Sequence, residues 1–178
     1  MPRPAPATAW VLLAAAALVA HWCGLMLLVG SRMVPGWASG AALLGAALVA
    51  RRAEPTSTGR DRWRWALGSL TAVGCLLSGG TDVFATYHLL DPAGPGGCRA
   101  FARETAILFA GGGEVYTGYA VGPVGVAWEG SSWTADDGYR PIAAGTYRLT
   151  WGLGGGSLVV EGTGGNPVWP ALHGVDCG

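Results

Sequence analysis

Ser131, Ser132 and Ser157, with His173 as a base and Asp176 to orient it, are the residue types from which nucleophilic chemistry could be built here. A hydroxyl attacks only when a base lies within hydrogen-bond reach and a third group holds that base. None of these serines sits in the glycine-flanked elbow that presents a nucleophile between a strand and a helix. The sequence therefore predicts no catalytic residue and no enzyme.

Asp82, His88 and Asp91, with Tyr87 among them, form a second set. Asp82 and His88 stand six residues apart, off the i,i+3/i+4 spacing of a helical metal pair. A metal site would have to recruit His173 or Asp176, and no metal or cofactor is expected. Gly111–Gly113 and Gly152–Gly156 lack the lysine of a phosphate-binding loop, and strand-like sequence follows each, so both predict hairpin turns.

His21 differs from these because it lies inside an apolar run. An ionisable residue at membrane depth is a functional candidate. Ser78, on a later apolar run, would lie at similar depth and could hold a neutral imidazole. Asp82 closes that later run.

The elements that would position these residues follow from hydropathy. Only 12% of the residues are charged, against roughly 25% in an average soluble domain. Arg32 is the one charge between Pro4 and Ala50. Residues 10–30 would make about 30 Å of helix, enough for a bilayer core. Residues 35–50 and 65–85 read as second and third spans, the second of them short. Between the last two, Arg51, Arg52, Arg60, Arg62 and Arg64 crowd a loop over 51–64, where Thr58 and Asp61 have capping-box spacing. The positive-inside rule places that loop in the cytoplasm and the tail outside.

The tail has strand grammar. Tyr147, Leu149 and Trp151 alternate with Thr146, Arg148 and Thr150, and Val124, Val126 and Trp128 alternate similarly. Residues 106–110 read as a buried strand. Leu158–Glu161 would pair with Thr146–Trp151, and Asp136-Asp137-Gly138 marks a turn. Cys98 and Cys177 bracket this region and predict a disulfide. The predicted fold class is a membrane α-helical protein with three transmembrane helices plus a small all-β extracytoplasmic domain. That domain has five or six antiparallel strands in a sandwich or partly open barrel. The membrane domain spans 1–90, a linker 91–97 and the β-domain 98–178.

The expected role is that of a multi-pass integral protein of the cell envelope with an extracytoplasmic binding domain, touching membrane lipids and a protein partner. A small transporter or channel subunit built on His21 is the alternative, and an envelope enzyme ranks third. Trp133 and Tyr139, flanking a polar turn, are the candidate interface aromatics. Zero formal net charge disfavours nucleic acid. From Asp91 onward four arginines face eight carboxylates, which favours cationic partners.

Overall fold

The computed structural model describes residues 6–52 and 62–177. Three helices and ten strands follow in the order α1 (Pro6–Trp22), β1 (Leu25–Val29), β2 (Arg32–Val34), α2 (Gly36–Arg52), α3 (Arg62–Asp82), β3 (Ala85–Leu90), β4 (Cys98–Ile107), β5 (Ala110–Val121), β6 (Val124–Asp136), β7 (Tyr147–Gly152), β8 (Gly155–Val160), β9 (Val168–Trp169) and β10 (Leu172–Val175). The chain divides into a helical unit, Met1–Met26 with Val34–Thr81, and a β unit, Leu27–Met33 with Asp82–Gly178.

The three expected membrane spans are overturned: among the described residues no helix is long and apolar enough to cross a membrane. The first apolar run divides. Gly24 takes a left-handed φ of 75°, and its N–H closes the helix end on the His21 carbonyl at 3.0 Å. Leu25–Val29 then becomes a strand. The 17 residues left to α1 span about 26 Å, short of the ~30 Å core. Helix α2 also has 17 residues and ends on two arginines. Helix α3 has 21 residues but carries Arg62, Arg64 and Asp82 among serine, threonine and glycine.

The multi-pass cell-membrane assignment, the positive-inside argument for an extracytoplasmic tail, the integral-membrane envelope role and the His21 transporter rested on those spans and fall with them. The arginines lose their topological meaning. Arg51 and Arg52 sit in the last turn of α2, where cations favour the helix dipole. The Arg51 guanidinium lies 3.9 Å from the Trp65 ring centroid, a cation–π distance. Arg62 and Arg64 belong to the first turn of α3. Arg60 and the Thr58–Asp61 capping box lie outside the described residues.

Within the helical unit, glycines set the packing. A Cβ on Gly36 would collide with the Ala17 carbonyl oxygen and His21 Cβ, and one on Gly40 would come within 3.1 Å of Cys75 Sγ and 3.2 Å of the Ala14 carbonyl oxygen. Gly74 receives Leu18 and Trp22, and Gly79 the Trp37 ring. The backbones thus approach as closely as missing side chains allow. Ala14 and Leu18 are buried, while Leu12, Leu13, Leu48, Val49, Leu70, Leu76 and Leu77 are exposed.

In the β unit the larger sheet runs β2-β1-β6-β5-β4-β3, with β9 also on β6, and the smaller runs β10-β8-β7. The count exceeds the expected five or six because β1 comes out of the first expected span, β2 out of the turn after it and β3 out of the end of the third, while β9 and β10 lie beyond the last strand expected from the sequence. Alternation along β4 buries both faces. Ala100, Ala102 and Glu104 point one way, Phe101 and Arg103 the other.

On the first face Leu90, Ala100, Ala102, Val115, Trp133 and Ala135 meet Leu149, Leu158, Val160 and Val175 of the smaller sheet in one apolar core. Glu104, fully buried, enters this layer as a carboxylate accepting the main-chain N–H of Ile142 at 2.7 Å and of Ala143 at 2.9 Å. It fixes the connection between β6 and β7. On the second face the larger sheet curls into a nearly closed barrel, its free edges β2 and β3 meeting around a cavity.

The Cys98–Cys177 disulfide forms, with a Cα–Cα distance of 6.0 Å, and ties β4 to the segment after β10. The Asp137–Gly138 turn forms, with the Tyr139 N–H donating to the Asp136 carbonyl at 3.0 Å. Strand β7 pairs β8 as Leu149↔Leu158.

Two expectations fail locally. Residues 106–110 make no buried strand: Leu108 and Phe109 are 87% and 79% exposed at a hairpin tip. Gly111–Gly113 are no turn but part of β5, since the Trp133 ring lies where a Gly113 side chain would stand.

Candidate functional site

Register assembles a polar row on the barrel-side face. Tyr87 pairs Arg103, and Arg103 pairs Glu114. The Arg103 Nε–H donates to Asp82 Oδ1 at 2.8 Å and its Nη1–H to Glu114 Oε2 at 2.8 Å. The Tyr87 hydroxyl lies 2.8 Å from each Asp82 carboxylate oxygen and donates to that carboxylate. Burial opposes the Arg103 charge, but its hydrogen bonds to Glu114 and Asp82 prevail and hold it firmly protonated. Burial, then the Asp82 carboxylate, pushes the Tyr87 hydroxyl well above its ordinary range.

The next row pairs Leu89 with Phe101, Phe101 with Tyr116, and Tyr116 with Glu129. Burial and then the Glu114 and Glu129 charges push the Tyr116 hydroxyl up, so it stays neutral. Glu129 is raised by partial burial and then by Glu114, with Arg103 opposing. One guanidinium thus faces three carboxylates, leaving this wall acidic.

Where the barrel's edges meet, Ser31, Arg32 and Met33 of the β1–β2 hairpin face Tyr87, His88 and Leu89 of β3 across a cavity of about 270 Å³, with Phe101 as a further wall. Both strands are terminal in the sheet. A strand paired on one side leaves half its N–H and C=O groups pointing outward. Met33 and Phe101 are buried, whereas Arg32 is exposed. The His88 ring turns to the other face, with Nε2 3.1 Å from Thr86 Oγ1 and 3.4 Å from Glu104 Oε2. Asp82 and His88 therefore serve opposite faces. Asp91 sits on the surface, 3.7 Å from Arg99 Nη1.

Other predicted site residues are dispersed. Ser78 accepts the Trp22 indole N–H at 3.1 Å. His21 packs under Gly36 in the helical unit. Trp133 and Tyr139 form no exposed pair: Trp133 is 3% exposed in the core and Tyr139 packs against that core. Trp133 fills the layer between the sheets because alternation along β6 turns it inward with Ala135.

Of the nucleophile candidates, Ser157 bonds Thr150 Oγ1 at 2.9 Å, and Ser132 is exposed. Ser131 and His173 are brought together at 2.9 Å.

Nothing in the sequence marks the seam residues Arg32 and Met33 as strand, because they fall in a short turn-like stretch between two apolar runs. The Arg103 network escaped the sequence reading because its partners are 21 and 11 residues away. The period-2 alternation around Phe101 and Arg103 was the available signal. No protein-family model, no curated protein and no solved structure matches the chain.

Proposed function

We propose that the β unit is a binding module that receives an extended peptide segment of a protein partner along the seam between β2 and β3. The observation that carries this reading is the cavity bounded by two unpaired strand edges. Strand addition draws affinity from main-chain hydrogen bonds and specificity from pockets for alternate side chains. About 270 Å³ lies below the ~300–1,000 Å³ of drug-sized ligand sites and suits one side chain. Met33, Leu89 and Phe101 favour an apolar one. The acidic wall beyond Tyr87 favours peptides without carboxylates beside it.

A displayed library of randomised extended peptides tests this. Selected peptides carry an apolar residue at one position, and Leu89→Trp, which fills the cavity, weakens them at least tenfold. Peptides that bind equally well to the filled variant would overturn the seam as the site.

The exposed leucines of the helical unit support a second contact with a protein partner. Monomeric proteins rarely leave large contiguous apolar patches uncovered. Sedimentation of the full chain checks this. Association is expected, and Leu76→Arg with Leu77→Arg should reduce it.

A further inference from the structure

We propose that Ser131 is a nucleophile activated by His173, forming an acyl-transfer site distinct from the strand seam. Ser131 Oγ lies 2.9 Å from His173 Nδ1, and His173 Nε2 lies 3.0 Å from the Pro170 carbonyl oxygen. A carbonyl can only accept, so Nε2 carries the proton. In the neutral ring Nδ1 then presents its lone pair, and the Ser131 hydroxyl donates to it. Nucleophile, base and orienting group are thus in series, with a main-chain carbonyl in the place expected of Asp176.

Three further observations bear on this arrangement. His173 is 2% exposed, and its burial favours the neutral base. Ser131 is only half-buried and follows Gly130 at a β-bulge, where the register shifts between Val115 and Tyr116. Bulges re-aim side chains and recur beside active sites. The indole N–H of Trp133 is buried without a hydrogen-bond partner among the described residues. Its ring centroid stands 5.7 Å from that of His173. It is an unused buried donor that packs beside the His173 ring.

The reaction class is acyl transfer from an ester. Ser131 Oγ attacks the acyl carbon while its proton passes to His173 Nδ1. The bond to the leaving alkoxide breaks, and the alkoxide takes that proton. Water repeats the sequence against the Ser131 ester, releasing the carboxylic acid and restoring the hydroxyl.

A fluorophosphonate probe on the full chain, read by intact mass and peptide mapping, tests the proposal. One adduct per chain on Ser131 is expected, unchanged in Ser132→Ala and slowed at least tenfold in His173→Gln. 4-Nitrophenyl acetate should give acetylation at the same residue. The mapped position decides the matter even if a variant misfolds: absence of any adduct, or an adduct elsewhere, overturns the proposal. So does labelling that persists at the same rate in folded His173→Gln.

Discussion

Arg103 and Asp82, 21 residues apart in sequence, form a 2.8 Å ion pair in which both side chains are largely shielded from water. The same guanidinium holds Glu114, so its removal takes one shared cation from two carboxylates. Breaking a buried pair from one side costs about 3–5 kcal/mol. Arg103→Met should lower the denaturant midpoint by that order. Arg103→Lys should recover only part of the loss, because an ammonium lacks the planar fork that spans both carboxylates. An unchanged midpoint in Arg103→Met would mean that the network contributes nothing to stability.

Glu104 tests the polar layer of the sandwich. Glutamine keeps one acceptor oxygen but turns an amide N–H toward a main-chain N–H. Leaving one buried donor unmet costs about 1–3 kcal/mol. Glu104→Gln should therefore speed hydrogen exchange at the Ile142 and Ala143 amides and leave the β7–β8 pairs protected. Exchange at the Ile142 and Ala143 amides that is unchanged between the native chain and Glu104→Gln would contradict this local role.

The pH dependence of stability should carry a His173 contribution of defined sign. Burial lowers its pKa from the ordinary 6.5, opposed by the bond to Pro170. Below that ordinary value the unfolded chain binds a proton that the folded chain refuses, so stability rises with pH across this window. The contribution is fully present above 6.5 and lost as pH falls toward the lowered folded value. Urea midpoints measured from neutral to mildly acidic pH should fall, and His173→Gln should flatten that slope.

The disulfide closes a separation of 79 residues. Loop-closure entropy assigns such a link about 4–5 kcal/mol. Cys98→Ser with Cys177→Ser should reduce stability by up to that amount and release the segment after β10 first. Limited proteolysis near Val175, compared between the oxidised protein and the double variant, reads this out.

In the helical unit, Gly36→Val should be among the most damaging single changes. The added side chain would stand against the Ala17 carbonyl oxygen and His21 Cβ, which are backbone and helix-fixed atoms. Overpacking of this kind costs about 1–3 kcal/mol. Gly45→Val, where nothing lies within 4 Å of the added Cβ, serves as the control. Thermal melts followed by far-UV circular dichroism separate the two.

Several features were determined by sequence alone. The pairing of Thr146–Trp151 with Leu158–Glu161, seen as the β7–β8 hairpin, follows from alternation in the first segment, an apolar second segment and a glycine-rich turn between them. The Cys98–Cys177 bridge follows from two cysteines bracketing a small β region. These signals are local or rest on a chain of few alternatives.

The tertiary structure decided the rest. Residues 10–30 are apolar throughout, and such a run is equally compatible with helix and buried strand. Only a left-handed Gly24 and the place of β1 beside β6 divide it at Trp22. Trp133 looked like a surface aromatic beside a polar turn, yet the Gly113 opposite it leaves room for its ring and buries it. The Arg103 row, the β2–β3 seam and the Ser131–His173 pair depend on strand register and sheet stacking. All three join residues far apart in the chain, and a one-residue slip would turn each side chain to the opposite face.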